Sequence, residues 1–131
     1  MKNSNSKITE SESKVGEILR QKQISSQDAK HLGDLLSLIL TNYFSNLDRE
    51  TGMKGWSVDG MNPNDFETTP KKVTLSGNIH WLTGGSKCRY YQADLAKNTE
   101  PLLYSIKLKS NKQKNNLYIG KTHTGWILNA T

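Results

Sequence analysis

One apolar stripe stands out in the pattern of hydrophobic and polar positions along the chain. Its members recur at steps of three and four residues: Leu32, Leu35, Leu36, Ile39, Leu40, Tyr43, Phe44 and Leu47. Steps of this size place side chains on one side of an α-helix. Ser25 and Asp28 are typical of a helix start, and Gly52 and Gly55 are typical of a helix end. The pattern therefore predicts a long amphipathic helix over about residues 26–48.

A weaker helical pattern precedes this stripe. Val15, Ile18 and Leu19 have the spacing of a short helix, although Gly16 lowers its helix propensity. Residues 1–12 are mostly Lys, Asn, Ser, Glu and Thr, and Ile8 is the one apolar residue after Met1. Such a segment buries too little apolar surface to offset the entropy lost on ordering. We therefore expect a disordered N-terminal arm over residues 1–12 and a single domain over residues 13–131.

After Pro70 the period of the pattern changes from three and four to two. Apolar side chains alternate with polar ones around Val73–Trp81 and again around Leu102–Lys109. This alternation is typical of strands with one buried and one solvated face. Turn residues separate the apolar runs, which predicts an antiparallel meander of four or five strands over about residues 71–128. Residues 56–70 are rich in turn residues and predict a loop, with at most a short edge strand at its start.

These elements define an α+β fold. A meander with one apolar face needs a cover, and the long helix carries the largest apolar stripe available. We expect the short and long helices to pack on one face of the sheet. The opposite face would then be exposed to solvent.

Charge is distributed unevenly between the two halves of the chain. The formal net charge is +6, from 18 Lys and Arg against 12 Asp and Glu. Residues 70–131 contain ten of the basic residues and only two acids, Asp94 and Glu100. A positive field on the sheet half would suit nucleic acid or an acidic protein, although such an excess also serves solubility alone.

The sequence points to no cofactor, metal or membrane. Cys88 is the only cysteine, and no His, Cys, Asp and Glu residues have the spacing of metal ligands. No apolar run approaches the length of a membrane span, and the N-terminus lacks a signal-peptide pattern. We therefore expect a cytoplasmic protein.

The solvated face of the sheet is the candidate binding surface. Lysine and arginine can contact phosphate and aromatic rings can stack on bases, as binding of single-stranded nucleic acid requires. The candidate residues on or near this face are His80, Arg89, Tyr91, Lys107, Lys109, Tyr118, Lys121 and His123. Because any solvated sheet presents some of these residue types, the pattern alone does not choose between a protein and a nucleic-acid partner.

A catalytic alternative uses His80 and His123 as a general acid and base. Lys107 or Arg89 would then stabilise the charge on phosphate during metal-independent RNA cleavage. The order of helices and sheet also resembles small toxin-type ribonucleases in outline, which implies such an activity only by analogy.

The sequence favours a non-catalytic function. We expect a binding module, such as an accessory subunit or adaptor of a larger assembly, that acts through its basic sheet half. We expect a protein partner. An RNA- or single-stranded-DNA-binding protein is the first alternative and a small ribonuclease is the second.

Overall fold

The computed structural model describes residues 2–52, 57–83, 86–110 and 116–130. Two helices come first, α1 (Lys2–Leu19) and α2 (Ser26–Thr51). Six strands follow: β1 (Ser57–Thr68), β2 (Lys72–Thr83), β3 (Ser86–Ala96), β4 (Tyr104–Ser110), β5 (Asn116–Thr122) and β6 (Gly125–Ala130). The α+β class is confirmed, and the sheet has six strands rather than four or five.

The strands form one antiparallel meander in which each strand pairs with its neighbours in sequence. β1 and β6 are the two edges, so the sheet is open. The helices cover one side, which we call the inner face. Its buried strand residues are Met61, Val73, Leu75, Ile79, Tyr91, Ala93, Leu95, Tyr104, Ile106, Leu108, Leu117 and Ile119. The opposite side, the outer face, carries no helix within the described part of the chain.

Helix α2 begins at Ser26 as the sequence predicts, and it ends at Thr51, three residues beyond the predicted end and directly before the predicted terminator Gly52. The backbone N–H of Ser25 donates to Asp28 Oδ2 at 2.9 Å, and the N–H of Asp28 donates to Ser25 Oγ at 3.1 Å. This reciprocal pair satisfies two donors at the helix start. Gly52 follows the helix with a φ of 73°, the left-handed geometry that often terminates helices. Gly55, the other predicted terminator, lies outside the described residues.

The predicted apolar stripe of α2 is confirmed as the centre of the core. Leu32, Leu36, Ile39 and Leu40 are fully buried, and Tyr43 and Leu47 pack at its margin. Near its start, Gly33 lies against the backbone of Met61 on β1. Farther along, the ring of Tyr43 stacks on Trp126 of β6 with centroids 4.5 Å apart. Helix α2 therefore crosses the whole inner face, from one edge strand to the other.

The prediction of a loop over residues 56–70 is wrong, because β1 occupies most of it. The Asn62–Asp65 segment reads as a turn in the sequence, yet it continues to pair with β2. Register shifts between Asp59 and Met61 and between Pro63 and Asp65 absorb the extra residues. An edge strand tolerates such bulges and a proline because one of its sides has no strand to pair with.

The expectation of a disordered arm over residues 1–12 is also wrong. Helix α1 includes residues 2–12, and both Ile8 and Ser11 are buried. Ile8 lies on the same side of the helix as Val15, Ile18 and Leu19, and this side packs into the common core. In addition to these apolar residues, α1 makes a polar contact with the sheet through Glu12. Met1 lies outside the described residues.

Two helical glycines should respond to alanine in opposite ways. At Gly33 an added Cβ would overlap the carbonyl oxygen of Met61 and lie 3.0 Å from Pro63 Cδ. At Gly16 the nearest neighbour would be the flexible end of Arg20, at 3.6 Å. We predict that Gly33→Ala lowers the free energy of unfolding by about 1–3 kcal/mol, because α2 must move away from β1. Gly16→Ala should raise it by about 0.5–1 kcal/mol through helix propensity.

Urea unfolding of both variants, followed by circular dichroism, measures these changes. If Gly33→Ala were as stable as Gly16→Ala, the close packing of α2 against β1 would be contradicted.

Candidate functional site

The outer face is built from the polar positions that alternate with the buried ones. On β4, Lys107 and Lys109 alternate with the buried Ile106 and Leu108. The register places Lys109 opposite Tyr90 of β3, and Lys107 opposite Tyr118 of β5. Directly opposed residues on neighbouring strands are close enough for their side chains to interact. The four side chains therefore form one cluster, which we call the Tyr–Lys patch: Tyr90, Lys107, Lys109 and Tyr118.

The patch combines cations with exposed aromatic rings. Lys109 Nζ lies 5.4 Å from the centroid of the Tyr90 ring, within the range of a cation–π interaction. Tyr90 and Tyr118 are each 37% exposed, so both rings are accessible to a partner. On the next strand Ile127 is 41% exposed, because the residue opposite it on β5 is Gly120, which has no side chain to cover it. Apolar, aromatic and basic groups are thus all exposed on β3–β6.

Negative charge dominates the other side of the outer face. Asp59, Asp65 and Glu67 are exposed on β1. On β3, Asp94 accepts a hydrogen bond of 2.8 Å from Thr74 Oγ1 of β2. The outer face is therefore not uniformly basic, and among the side chains that the structure describes on it, two of the lysines, Lys107 and Lys109, lie together on β4. A partner attracted by positive charge would contact β3–β5 and avoid β1.

The structure brings together only part of the predicted binding face. Lys107, Lys109 and Tyr118 lie in the patch. His80 is exposed on β2 but stands opposite Asp59, near the acidic edge. His123 is exposed in the turn between β5 and β6. Arg89 is on β3, and its side chain lies outside the described part of the structure.

Two of the predicted residues are on the inner face instead. Tyr91 is fully buried, and its neighbour Tyr90 is the exposed tyrosine. Lys121 stands opposite the buried Tyr104 on the helix-covered side. Counting in steps of two back from Leu95 would have assigned Tyr91 to the core. Counting forward from Cys88 gives the wrong face for Tyr91, because a register shift lies between Cys88 and Tyr90.

The histidine pair of the ribonuclease alternative is not assembled. His80 lies beyond the Asn78–Tyr90 pairing at one end of the sheet, whereas His123 follows Thr122 at the opposite end. Three strand spacings of about 4.8 Å and about eight residues of about 3.3 Å separate them, on the order of 30 Å in all. A general base must lie within hydrogen-bond distance of the attacking oxygen and a general acid within the same distance of the leaving oxygen, and both oxygens bond to one phosphorus. The pair therefore cannot act as a general acid and base on one phosphate.

A polar cluster on the inner face joins α1 to the sheet. The Tyr104 hydroxyl donates a hydrogen bond of 2.7 Å to Glu12 Oε2. Lys121 Nζ lies 3.5 Å from the same oxygen, and the Glu12 and Lys121 side chains are only 15% and 20% exposed. The Lys121 ammonium also lies 5.2 Å from the centroid of the Trp126 ring. Each charged group of this cluster is thus compensated by a partner.

Burial determines the protonation of the two inner tyrosines. The pKa of Tyr104 is raised far above its usual value, first by burial and then by the Glu12 carboxylate beside it. The pKa of Tyr91 is raised by burial and, to a smaller extent, by Tyr90. Both phenols are therefore neutral hydrogen-bond donors at neutral pH. Tyr104 uses its donor on Glu12, whereas the Tyr91 hydroxyl has no hydrogen-bond partner among the described residues.

A cavity of about 470 Å³ lies beside this polar cluster. Helix α1 forms one wall with Thr9, Glu12, Gly16 and Arg20, and residues 96–102 between β3 and β4 form the other. The Thr99 hydroxyl is buried there and has no hydrogen-bond partner in the described part of the chain.

The described residues contain neither a group of metal ligands nor a membrane-spanning helix. There, no three His, Cys, Asp or Glu side chains are grouped as metal ligands would be. Neither α1 nor α2 is long and apolar enough to cross a bilayer. Comparison of the chain with protein-family models, curated proteins and solved structures finds no match.

Replacement by phenylalanine should change the free energy of unfolding differently at Tyr104 and at Tyr91. Tyr104→Phe removes a hydrogen bond to a partly buried carboxylate and should lower the free energy of unfolding by about 1–2 kcal/mol. Tyr91→Phe removes a buried hydroxyl that has no partner among the described residues, so stability should be unchanged or rise by up to about 1 kcal/mol. Urea unfolding at neutral pH measures both. Equal losses in the two variants would contradict the role of the Glu12 contact.

Ionisation of the Tyr104 phenol should lower the stability of the protein at alkaline pH. The raised pKa of Tyr104 means that the unfolded chain ionises this phenol at a lower pH than the folded chain does. Protons are then bound more tightly in the folded state, so stability is full below pH about 10 and decreases as the pH rises above it. Unfolding free energies across this range should fall less steeply for Tyr104→Phe than for the unchanged protein. Parallel slopes would contradict the assignment.

Proposed function

We propose that this protein is a non-catalytic binding module, an accessory subunit or adaptor, whose Tyr–Lys patch contacts an acidic surface of a protein partner. The observation that carries the proposal is the difference between the two faces of the sheet. The helices bury its inner face, while two exposed tyrosines and two exposed lysines stand together on its outer face. A cytoplasmic location stays a prediction from the sequence.

The chemistry of the patch favours a protein partner. Tyrosine is enriched at protein interfaces, because its ring buries apolar area and its hydroxyl still finds hydrogen bonds. The exposed Ile127 extends the patch with apolar surface, which nucleic acid uses less. The lysines would steer an acidic partner toward β4 and away from the acids of β1.

The protein-partner proposal is tested by variants that keep the fold. Affinity isolation with the unchanged protein should recover a partner that Lys107→Glu and Tyr118→Ser both fail to recover, because these substitutions remove charge attraction and aromatic area. Lys71→Glu is the matched control. It makes the same charge change at an exposed residue in the turn between β1 and β2. A partner lost equally with the control would contradict the patch as the contact surface.

Single-stranded nucleic acid is the second candidate, and the Lys109–Tyr90 pair is the observation that favours it. Aromatic rings on an exposed sheet can stack on bases while lysines contact phosphate. With two patch lysines, the affinity should be modest and should weaken with rising salt.

Titration of labelled single-stranded RNA and DNA separates the two candidates. If nucleic acid binds, replacing both Lys107 and Lys109 by Ala should weaken binding about tenfold or more at low salt and flatten its salt dependence. Replacing Lys71 and Lys72 by Ala removes the same charge from the exposed β1–β2 turn and should have a smaller effect. No binding at low salt would exclude the nucleic-acid candidate and leave the protein-partner proposal standing.

A further inference from the structure

The two edges of the sheet differ in how they are protected. An edge strand presents unpaired backbone N–H and C=O groups to any strand that approaches. On β1 this edge carries Pro63, two register shifts and three exposed acids. Each of these features opposes strand pairing, since proline lacks a donor, bulges twist the strand and like charges repel. β1 is therefore a protected edge.

Strand β6 has none of these features. Its sequence is Gly-Trp-Ile-Leu-Asn-Ala, without charge or proline, and it pairs with β5 without a register shift. On its other side it has no strand partner among the described residues. The side chains at the centre of β6 expose apolar surface on both faces of the sheet. Ile127 is 41% exposed on the outer face, and Trp126 and Leu128 are only partly buried on the inner face.

We propose that β6 is a self-association edge, at which two copies of this chain pair antiparallel and join their sheets into one of twelve strands. A second copy is the occupant because β6 is chemically similar when read in either direction. Around Ile127, the inner-face neighbours Trp126 and Leu128 are both apolar, and the next residues outward, Gly125 and Asn129, are both uncharged.

The register follows from keeping each residue on its own face. Pairing Ile127 with Ile127 of the second copy places Trp126 opposite Leu128 and Gly125 opposite Asn129. Inner residues then meet inner residues, no like charges are opposed, and a glycine leaves space for the Asn129 side chain. Across the two-fold axis, Ile127 gains the apolar neighbour that Gly120 does not provide on β5.

One edge for each copy also limits the assembly to two. Because β1 is protected, the pair has no second open edge at which a third copy could add, so the association closes as an isologous dimer. Six residues on each side form a small interface, at the weak end of specific contacts. We therefore expect a dissociation constant in the micromolar range, about 1–100 µM.

Sedimentation velocity from about 1 to 500 µM protein tests the proposal. The unchanged protein should pass from monomer to dimer over this range. Ile127→Lys places two charges opposite each other at the axis and should raise the dissociation constant at least about tenfold, with an unchanged circular dichroism spectrum. Leu38→Lys is the matched control, because Leu38 is an apolar residue 52% exposed on α2 and away from the edge. It should dimerise as the unchanged protein does.

Cross-linking tests the register separately. In a Cys88→Ser background, Ile127→Cys should form a disulfide-linked dimer under mild oxidation, because the two positions face each other. Asn129→Cys should not, because its two copies would lie about four residues apart along the strands, about 13 Å.

Three results would overturn the proposal. The first is a protein that stays monomeric at the highest concentration. This result would overturn the proposal even if β6 were found to pair with a strand of another protein. The second is a dimer that Ile127→Lys leaves intact, and the third is a dimer that Leu38→Lys weakens equally. The proposal does not depend on the function of the Tyr–Lys patch, because dimerisation is measured with the purified protein alone, in the absence of any partner of the patch.

Discussion

The packing of α2 across the inner face is the interaction on which the rest of the structure depends. The helix contacts β1 at Gly33 and β6 at Tyr43, so it spans both edges of the sheet. Meander pairing alone leaves a sheet with one apolar face exposed to water. Burial of that face against α2 makes the sheet stable and settles which side of every strand faces solvent. The Tyr–Lys patch is a consequence of that choice, because its residues alternate with those that α2 covers.

Sequence periodicity was sufficient to predict those helices and strands that bury only one side. The α2 stripe and the alternation on β4 were read correctly, because each has a single buried side with an uninterrupted period. The class of fold and the position of Lys107 and Lys109 on the solvated face follow from these two elements. The exposed position of Ile127 was not found, because it depends on Gly120 of a neighbouring strand, and this pairing is not visible in β6 alone.

Where sequence reasoning failed, a local pattern was overridden by a distant contact. Turn residues in β1 were accommodated as bulges by pairing with β2. Tyr91 was assigned to the wrong face because a register shift interrupts the count along β3. The first residues of α1 looked unable to order, because their stabilising partner is Tyr104, 92 residues beyond Glu12. None of these contacts can be inferred from the short windows in which propensity and periodicity are read.

That separation between Glu12 and Tyr104 has a consequence for how the chain folds. Every strand pairs with its neighbour in sequence, so the sheet can form one hairpin at a time by closing short loops. The helices do not follow this order, and for α1 the polar anchor needs β4 and β5 in place before it has a partner. Helix α1 precedes these strands in the chain, so it completes its contacts only after they have formed. Until then its apolar side can pack against α2, because this helical pair precedes all six strands in the chain and does not need them in order to form.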